Sequence, residues 1–379
     1  MIPEEVFPMI SKDFLESLSP VEIQMVHQYI GILFKDRIKD DTSNFDNLKA
    51  ESCPYCGSKH FTRNGHDPKS GRQRYICKDC NRSFKDSTET FFSHSRISYN
   101  TWISFIGCEV AGLSLRQEEA ICGVSKTGCF NMRHKLYHAL SKYQDQRKMK
   151  GLCQIDCAYT SVNLKGWKNN MPRFSRKRGK HKPDRNHKKL RGISHHKICL
   201  LTAIDEDDRI LFKIAGTGVE DYDKYESFAD HFSKKTTLIC DEKRCIERFA
   251  RNNHLGYDYI PSGSFKSDKG NSLSSINQFH QEFSELIRKK HGIGTRHLQS
   301  YMDFLVVTKE LKYKIELKKM NTRLYMDIIG HPVYWTSDDI CHVPMPIDVY
   351  EVYKEYGYTD NIDISKNSLS ENRLHQPIS

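Results

Sequence analysis

Two cysteine pairs, Cys53-Pro-Tyr-Cys56 and Cys77-Lys-Asp-Cys80, constrain the fold of this chain more than any other feature. Each Cys-x-x-Cys pair bends the backbone into a knuckle with both sulfurs on one side. Two knuckles separated by 20 residues therefore offer the four thiolates of a tetrahedral structural zinc site. Between them lie His60, Phe61, Arg63, Asn64 and Gly65, then Gly71 to Ile76, which read as hairpin strands carrying exposed Lys and Arg. Residues 49–95 are thus expected to form a zinc ribbon, with Cys53, Cys56, Cys77 and Cys80 as ligands. His60, His66 and His94 are possible substitutes, but four thiolates already complete the set. The competing reading is four buried cysteines without metal.

The other cysteines fit that reading. The 379-residue chain has 13, an odd number, and no basic-then-apolar signal segment at its N-terminus. A cytoplasmic location is expected, where cysteines stay reduced and serve as apolar residues or metal ligands. No run of 18 or more apolar residues suggests a membrane span. With 37% hydrophobic residues the chain can fill a core in at least one of two or three domains. Its net charge of +11 favours a polyanionic partner, although 48 acidic residues make the surface patchy.

Residues 1–48 show helical spacing of Phe14, Leu15, Leu18, Ile23, Val26, Ile30 and Leu33, with Ser19-Pro20 as a helix start, and read as a docking segment without chemistry. A polar linker, Asp40 to Asp46, follows. Residues 96–148 carry three helical patterns: Trp102 to Leu113, Leu115 to Ile121 and Thr127 to Tyr143, with turns at Gly112–Ser114 and Gly123–Ser125. A short second helix, a three-residue turn with Gly, and a third helix bearing Asn131, Arg133, His134 and Lys135 have the layout of a helix-turn-helix, with Arg133 and Lys135 as candidate DNA contacts. A plain three-helix bundle would show the same periodicity.

After a basic hinge at residues 146–150 the pattern changes to strands. Leu152 to Tyr159 is the first, Ile198 to Ile204 and Arg209 to Ala215 form a hairpin around Asp205–Asp208, Tyr225 to Phe232 suits a helix, and Thr236 to Asp241 is a further strand. Lys165 to Arg191 is a basic loop, with Arg173, Arg176, Lys177, Arg178, Lys188 and Lys189 placed to neutralise phosphates; a solvated, disordered loop would look the same. Asp156 and Asp241 each close an apolar β-run. An aspartate at a strand end is ordinarily a turn residue. Two such carboxylates on neighbouring strands can instead share a pair of Mg²⁺ or Mn²⁺ ions, the minimal apparatus for in-line attack on a phosphodiester.

The order of these features resembles the DDE-type transposases of bacterial insertion sequences, in the group with an N-terminal zinc ribbon ahead of an RNase H-like catalytic domain. The resemblance rests on the ribbon, the helix-turn-helix, Gln154-Ile-Asp156, Arg191-Gly-Ile-Ser194 before a strand ending at Asp205, Asp241, and Ser275-Ile-Asn-Gln-Phe-His280 before a basic helix; it covers residues 50 to 310. It implies an α/β fold with a mixed sheet over residues 149–310. It also implies binding of double-stranded DNA at terminal inverted repeats, hydrolysis at the element's ends and strand transfer by the freed 3′-hydroxyl, within a homodimer or higher assembly. The family's third ligand, usually Glu, is replaced here by His280, with Asn277 three residues earlier on the same helical face; Glu282 and Glu285 rank behind them. Arg288 and Lys289 match the family's basic tail and are candidate DNA contacts. Residues 311–379 form a C-terminal extension, in part a disordered tail, without an assigned function.

The alternative is a DNA-binding protein without activity, a regulator or decayed transposase that keeps its ribbon and helix-turn-helix.

Overall fold

The computed structural model describes residues 50–68, 71, 73–85, 88–89, 95, 97–166, 193, 195–314, 336–349 and 352, together with Ser19. The expected helices of residues 1–48, His94, the basic loop with Arg173, Arg176, Lys177, Arg178, Lys188 and Lys189, and the C-terminal tail lie outside the described residues. The chain divides into two compact units, Met1–Arg133 with Lys318–Tyr334, and His134–Leu317 with Trp335–Ser379. Among the described residues no helix is long and apolar enough to cross a membrane.

In the first unit, strands β1 (Phe61–His66), β2 (Gln73–Cys77) and β3 (Ser83–Lys85) pair antiparallel in that order. Phe61, Tyr75 and Phe84 form its small core, with ring centroids 5.4 to 5.5 Å apart. Helices α1 (Tyr99–Val110), α2 (Leu115–Cys122) and α3 (Lys126–Ala139) follow, the last continuing into the second unit from His134. Ser98 caps α1 by accepting from the Thr101 amide at 3.2 Å. Gly123 ends α2 at φ 66°, a left-handed conformation that costs a residue without Cβ little. The Glu119 carboxylate then receives the Lys126 amide at 2.9 Å, fixing the start of α3. Helix α3 ends at Ala139, short of the Tyr143 expected from periodicity.

The second unit holds a five-stranded mixed sheet. Its strands are β4 (Leu152–Ser161), β5 (Lys197–Asp205), β6 (Ile210–Thr217), β7 (Thr237–Asp241) and β8 (Gly256–Ile260), in spatial order β6-β5-β4-β7-β8. The first three form an antiparallel meander; β7 and β8 join β4 in parallel. The meander turns at Asp205, whose carboxylate accepts from the amides of Asp207 and Arg209 and binds the Arg209 guanidinium, a turn role rather than a catalytic one. The short helix α4 (Tyr222–Glu226) and a 3-10 turn (Ala229–His231) replace the single helix expected over 225–232. Helix α5 (Arg244–Asn252) connects β7 to β8. Sequence patterning leaves both α5 and β8 unassigned.

Side chains alternate across β4. Cys153, Ile155 and Cys157 enter the core with Leu201, Ala203, Leu238, Cys240, Tyr225, Ile246 and Phe249, beneath α4 and α5. Gln154 and Asp156 take the opposite face. There lies α6 (Ser274–Lys289), burying Ile276, Phe279 and Phe283, with Phe279 and Phe283 set edge-on to Phe212. The next helix, α7 (Leu298–Lys314), runs along β6, and short α8 (Ser337–Cys341) lies further on. The outer edge of β6 is closed by side chains: Glu310 accepts the Ile210 amide, Gln144 the Phe212 amide and Gln299 the Ile214 amide. With these backbone groups occupied, β6 offers no template for another strand.

Candidate active site

Strand register brings the two predicted aspartates level. Leu152 pairs with Thr237 and Gln154 with Ile239; continued two residues, the same register sets Asp156 beside Asp241, the last residue of β7, although β4 runs on to Ser161 and Asp156 lies midway along it rather than closing it as expected. The charges interact: burial and then the Asp156 carboxylate push the Asp241 pKa up, Glu220 adds to this, and Lys243 opposes it. Asp241 sits at the exposed rim, whereas only 18% of the Asp156 side chain is exposed.

A third carboxylate, absent from the sequence-derived site, is Glu220, just before α4. Lys243 Nζ lies 2.8 Å from Asp156 Oδ1 and 2.8 Å from Glu220 Oε1. Burial lowers the Lys243 pKa, but these two carboxylates outweigh it and hold the ammonium well above its usual range. Glu220 is fixed from behind by the Tyr225 hydroxyl, which donates to its Oε2 at 2.8 Å, and its amide donates to the Tyr159 hydroxyl at 3.2 Å. Asp156 and Glu220 thus approach one cation from opposite faces of the sheet. The only sequence signal for Glu220 is its place between the β6 hairpin and a helix capped by Asp221, and that signal suggests a turn.

Helix α6 brings His280 over the same place. Its Nε2 hydrogen-bonds Thr202 Oγ1 at 2.8 Å, and Thr202 is the β5 residue paired with Asp156. His280 Nδ1 stands 4.0 Å from Asp156 Oδ2. Burial pushes the imidazole below its ordinary pKa, with Asp156 opposing and Lys243 assisting; the neutral ring keeps a lone pair for a ligand. The helix start is anchored by Gln154, whose Oε1 accepts the Ile276 amide at 3.0 Å. Asn277 is exposed, and its side chain makes no hydrogen bond among the described residues. Glu282 pairs with Lys309, while Glu285 pairs with Arg288 and Lys289 on the exposed end of α6. Neither glutamate joins the cluster. Asp156, Glu220 and Asp241 are hard oxygen donors suited to Mg²⁺ or Mn²⁺, and Lys243 marks the place where they already attract a cation.

The four cysteines converge in the first unit. Cys53 and Cys80 sulfurs lie 3.6 Å apart, as do those of Cys56 and Cys77, and all four lie within 4.8 Å of one another. Sulfurs sharing one zinc at bonds of about 2.3 Å stand about 3.8 Å apart, so the cluster fits zinc. Backbone amides, first that of Cys80, draw the Cys77 thiol down to about 6. His60 and His66 are exposed on the surface of this unit.

Arg133 departs from its expectation as a DNA contact. It is 4% exposed, its guanidinium bound to Glu109 and, at 2.6 Å, to Glu118. Its position on α3 faces the helices rather than solvent, with Met132, Leu136 and Tyr137 also buried along α3. Lys135 is half-buried, and burial lowers its pKa.

No protein-family model matches the chain. Over 127 residues it is 33% identical to an uncharacterized protein in transposable element ISH50 of Halobacterium salinarum; the match covers 33% of this chain and 41%, less than half, of that relative. Among solved structures it is similar to a chain of a pre-cleavage Mos1 transpososome, with 62% of this chain and 79% of that chain covered, at 10% identity and a TM-score of 0.24.

Proposed function

We propose that the chain is a DNA transposase that hydrolyses one phosphodiester at each end of its element and joins the freed 3′-hydroxyl to target DNA. One observation carries this reading: Lys243 Nζ sits between the Asp156 and Glu220 carboxylates, and both raise the pKa of neighbouring Asp241. The similarity to a protein of a transposable element supports it. In the first step a water oxygen bonds to phosphorus while the P–O3′ bond breaks and the 3′-oxygen leaves as a hydroxyl. In the second that 3′-hydroxyl attacks a target phosphorus, so each bond broken is matched by one formed. Two bound divalent cations would activate the attacking oxygen and stabilise the leaving one. Asp156, Asp241 and Glu220 hold them, and neutral His280, steadied by Thr202, stands beside Asp156 as a further ligand or phosphate contact. Glu220 thereby takes the third acidic corner that the resemblance assigned to the position of His280. The four cysteines bind zinc in a ribbon that, with a helix-turn-helix of α2 and α3, holds the inverted repeats. The basic loop at residues 165–191 and Arg288 and Lys289 contact DNA, and two chains or more act together, in the cytoplasm.

Purified protein, oligonucleotides carrying the element's ends, and Mn²⁺ or Mg²⁺ test the reading. Cleavage is expected in wild type. It should drop by roughly 10³-fold or more in Asp156→Asn and Asp241→Asn, with end binding retained, and to a smaller extent in Glu220→Gln. Wild type that binds the ends and never cuts them with either metal refutes the enzyme and leaves the DNA-binding regulator.

A further inference from the structure

A second set of metal-ligating side chains in the His134–Leu317 unit belongs neither to the carboxylates nor to the cysteines. His134 and His138 stand four residues apart on α3, so both leave the same helix face one turn apart. His297 comes from a 3-10 turn (Thr295–His297) just before α7. One ring nitrogen from each lies within 4.8 Å of the others. His138 Nε2 and His297 Nδ1 are 3.2 Å apart, and the His134 and His297 ring centroids are 4.3 Å apart. Nitrogens sharing a zinc-sized ion at bonds of about 2.0–2.1 Å stand about 3.3 Å from one another. One edge of the triangle already has that length, and the other two need to close by at most about 1.5 Å, within the swing of an imidazole.

His134 and His138 are 2% and 5% exposed, and no carboxylate is among the three. Gathering three polar rings in one buried place forfeits their hydration, a cost that apolar packing would avoid and that a shared ion offsets. Burial, reinforced in His138 by His297, lowers its pKa to about 3; burial, reinforced by Arg296, lowers that of His297 to about 4. His138 and His297 are therefore neutral near pH 7, the form that ligates. Imidazole triads suit Zn²⁺ and its neighbours Co²⁺, Ni²⁺ and Cu²⁺ over Mg²⁺. We infer that His134, His138 and His297 bind one transition-metal ion of the zinc class, clamping the last turn of α3 to a turn 159 residues away in sequence.

The full-length chain, stripped with chelator and reloaded with Co²⁺ in excess Mg²⁺ to occupy the carboxylates, decides the matter. Cobalt on thiolates gives intense charge-transfer absorption, whereas cobalt on imidazoles gives only weak visible bands. Wild type is expected to carry one cobalt with a nitrogen-type spectrum beyond any thiolate-bound ion. His297→Ala and His138→Gln should each lose one equivalent while the thiolate signal stays. The half-buried His297 is the safer substitution, with unchanged circular dichroism as the check on folding. A His297→Ala chain that takes up as much cobalt as wild type overturns the inference. So does a wild-type spectrum containing thiolate-bound cobalt alone or none, a result that needs no variant and is scored apart from the cysteine site.

Discussion

Arg133 in the first unit and Lys243 in the second are each held between two carboxylates, and the two arrangements differ in their access to solvent. Arg133 is closed in by Glu109 and Glu118, the side chains being 5%, 0% and 0% exposed. Lys243 lies between Asp156 and Glu220 with 27%, 18% and 11% exposed, next to the rim carboxylate Asp241. Arginine's fixed fork suits a sealed ion pair, and removing it would leave two charges with no water to receive them. Lysine is a compact charge on a flexible stem, and its partners can be resolvated or handed to another cation. A cation between two carboxylates is a structural brace in one place and, in the proposed function, a metal site in the other; access to solvent and the third carboxylate make the difference.

The largest expected effect tests the brace. Arg133→Met should destabilise the chain by about 3–5 kcal/mol, because Glu109 and Glu118 become buried uncompensated charges. Thermal unfolding measures it, and adding Glu118→Gln should return part of the loss. A loss below about 1 kcal/mol would mean that the triad is solvated after all.

Asp303 sharpens the contrast as a buried carboxylate with no cation bound to it. Gln144 and Gln299 donate to its Oδ1, while its Oδ2 has no partner among the described residues. Burial raises its pKa to about 7, with Lys213 and the two glutamines opposing and Asp145 assisting. The unfolded chain releases this proton near pH 4 and the folded chain near pH 7, so stability falls as pH rises through that window. Asp303→Asn removes the slope. At pH 8 the variant should be more stable by roughly 2 kcal/mol, the linkage gain less the cost of a buried amide, and near pH 4, where only that cost is left, less stable by a similar amount. Parallel melting curves from pH 4 to 8 would show that Asp303 ionises normally.

Lys243→Met should cost less than Arg133→Met, about 1–2 kcal/mol, because the carboxylates it leaves are partly open to water. Mn²⁺ binding, followed by calorimetry, should tighten several-fold once the competing ammonium is gone. Weaker binding would make Lys243 a brace like Arg133.

Legibility in the sequence tracks the distance over which a feature is determined. The cysteine knuckles and the turn at Gly123 are set by neighbours within a few residues, so spacing reveals them. The alternation of β4 places Asp156 opposite the apolar Cys153, Ile155 and Cys157, and β7 repeats the design at Asp241; their pairing was therefore expected. The helical position of Arg133 carries no mark in the sequence of which way it faces. Glu220 reads as a turn residue.

The sequence by itself determined the donors: four thiols at knuckle spacing, two aspartates in apolar strands, and a histidine in a helix. Only the tertiary structure decided which groups share a cation. Strand register sets Asp156 level with Asp241, the turn after β6 delivers Glu220 to Lys243, and the packing of α6 on Thr202 positions His280. Charges interact through space over a few ångströms, whereas sequence patterns record order along the chain, and 64 residues separate Asp156 from Glu220.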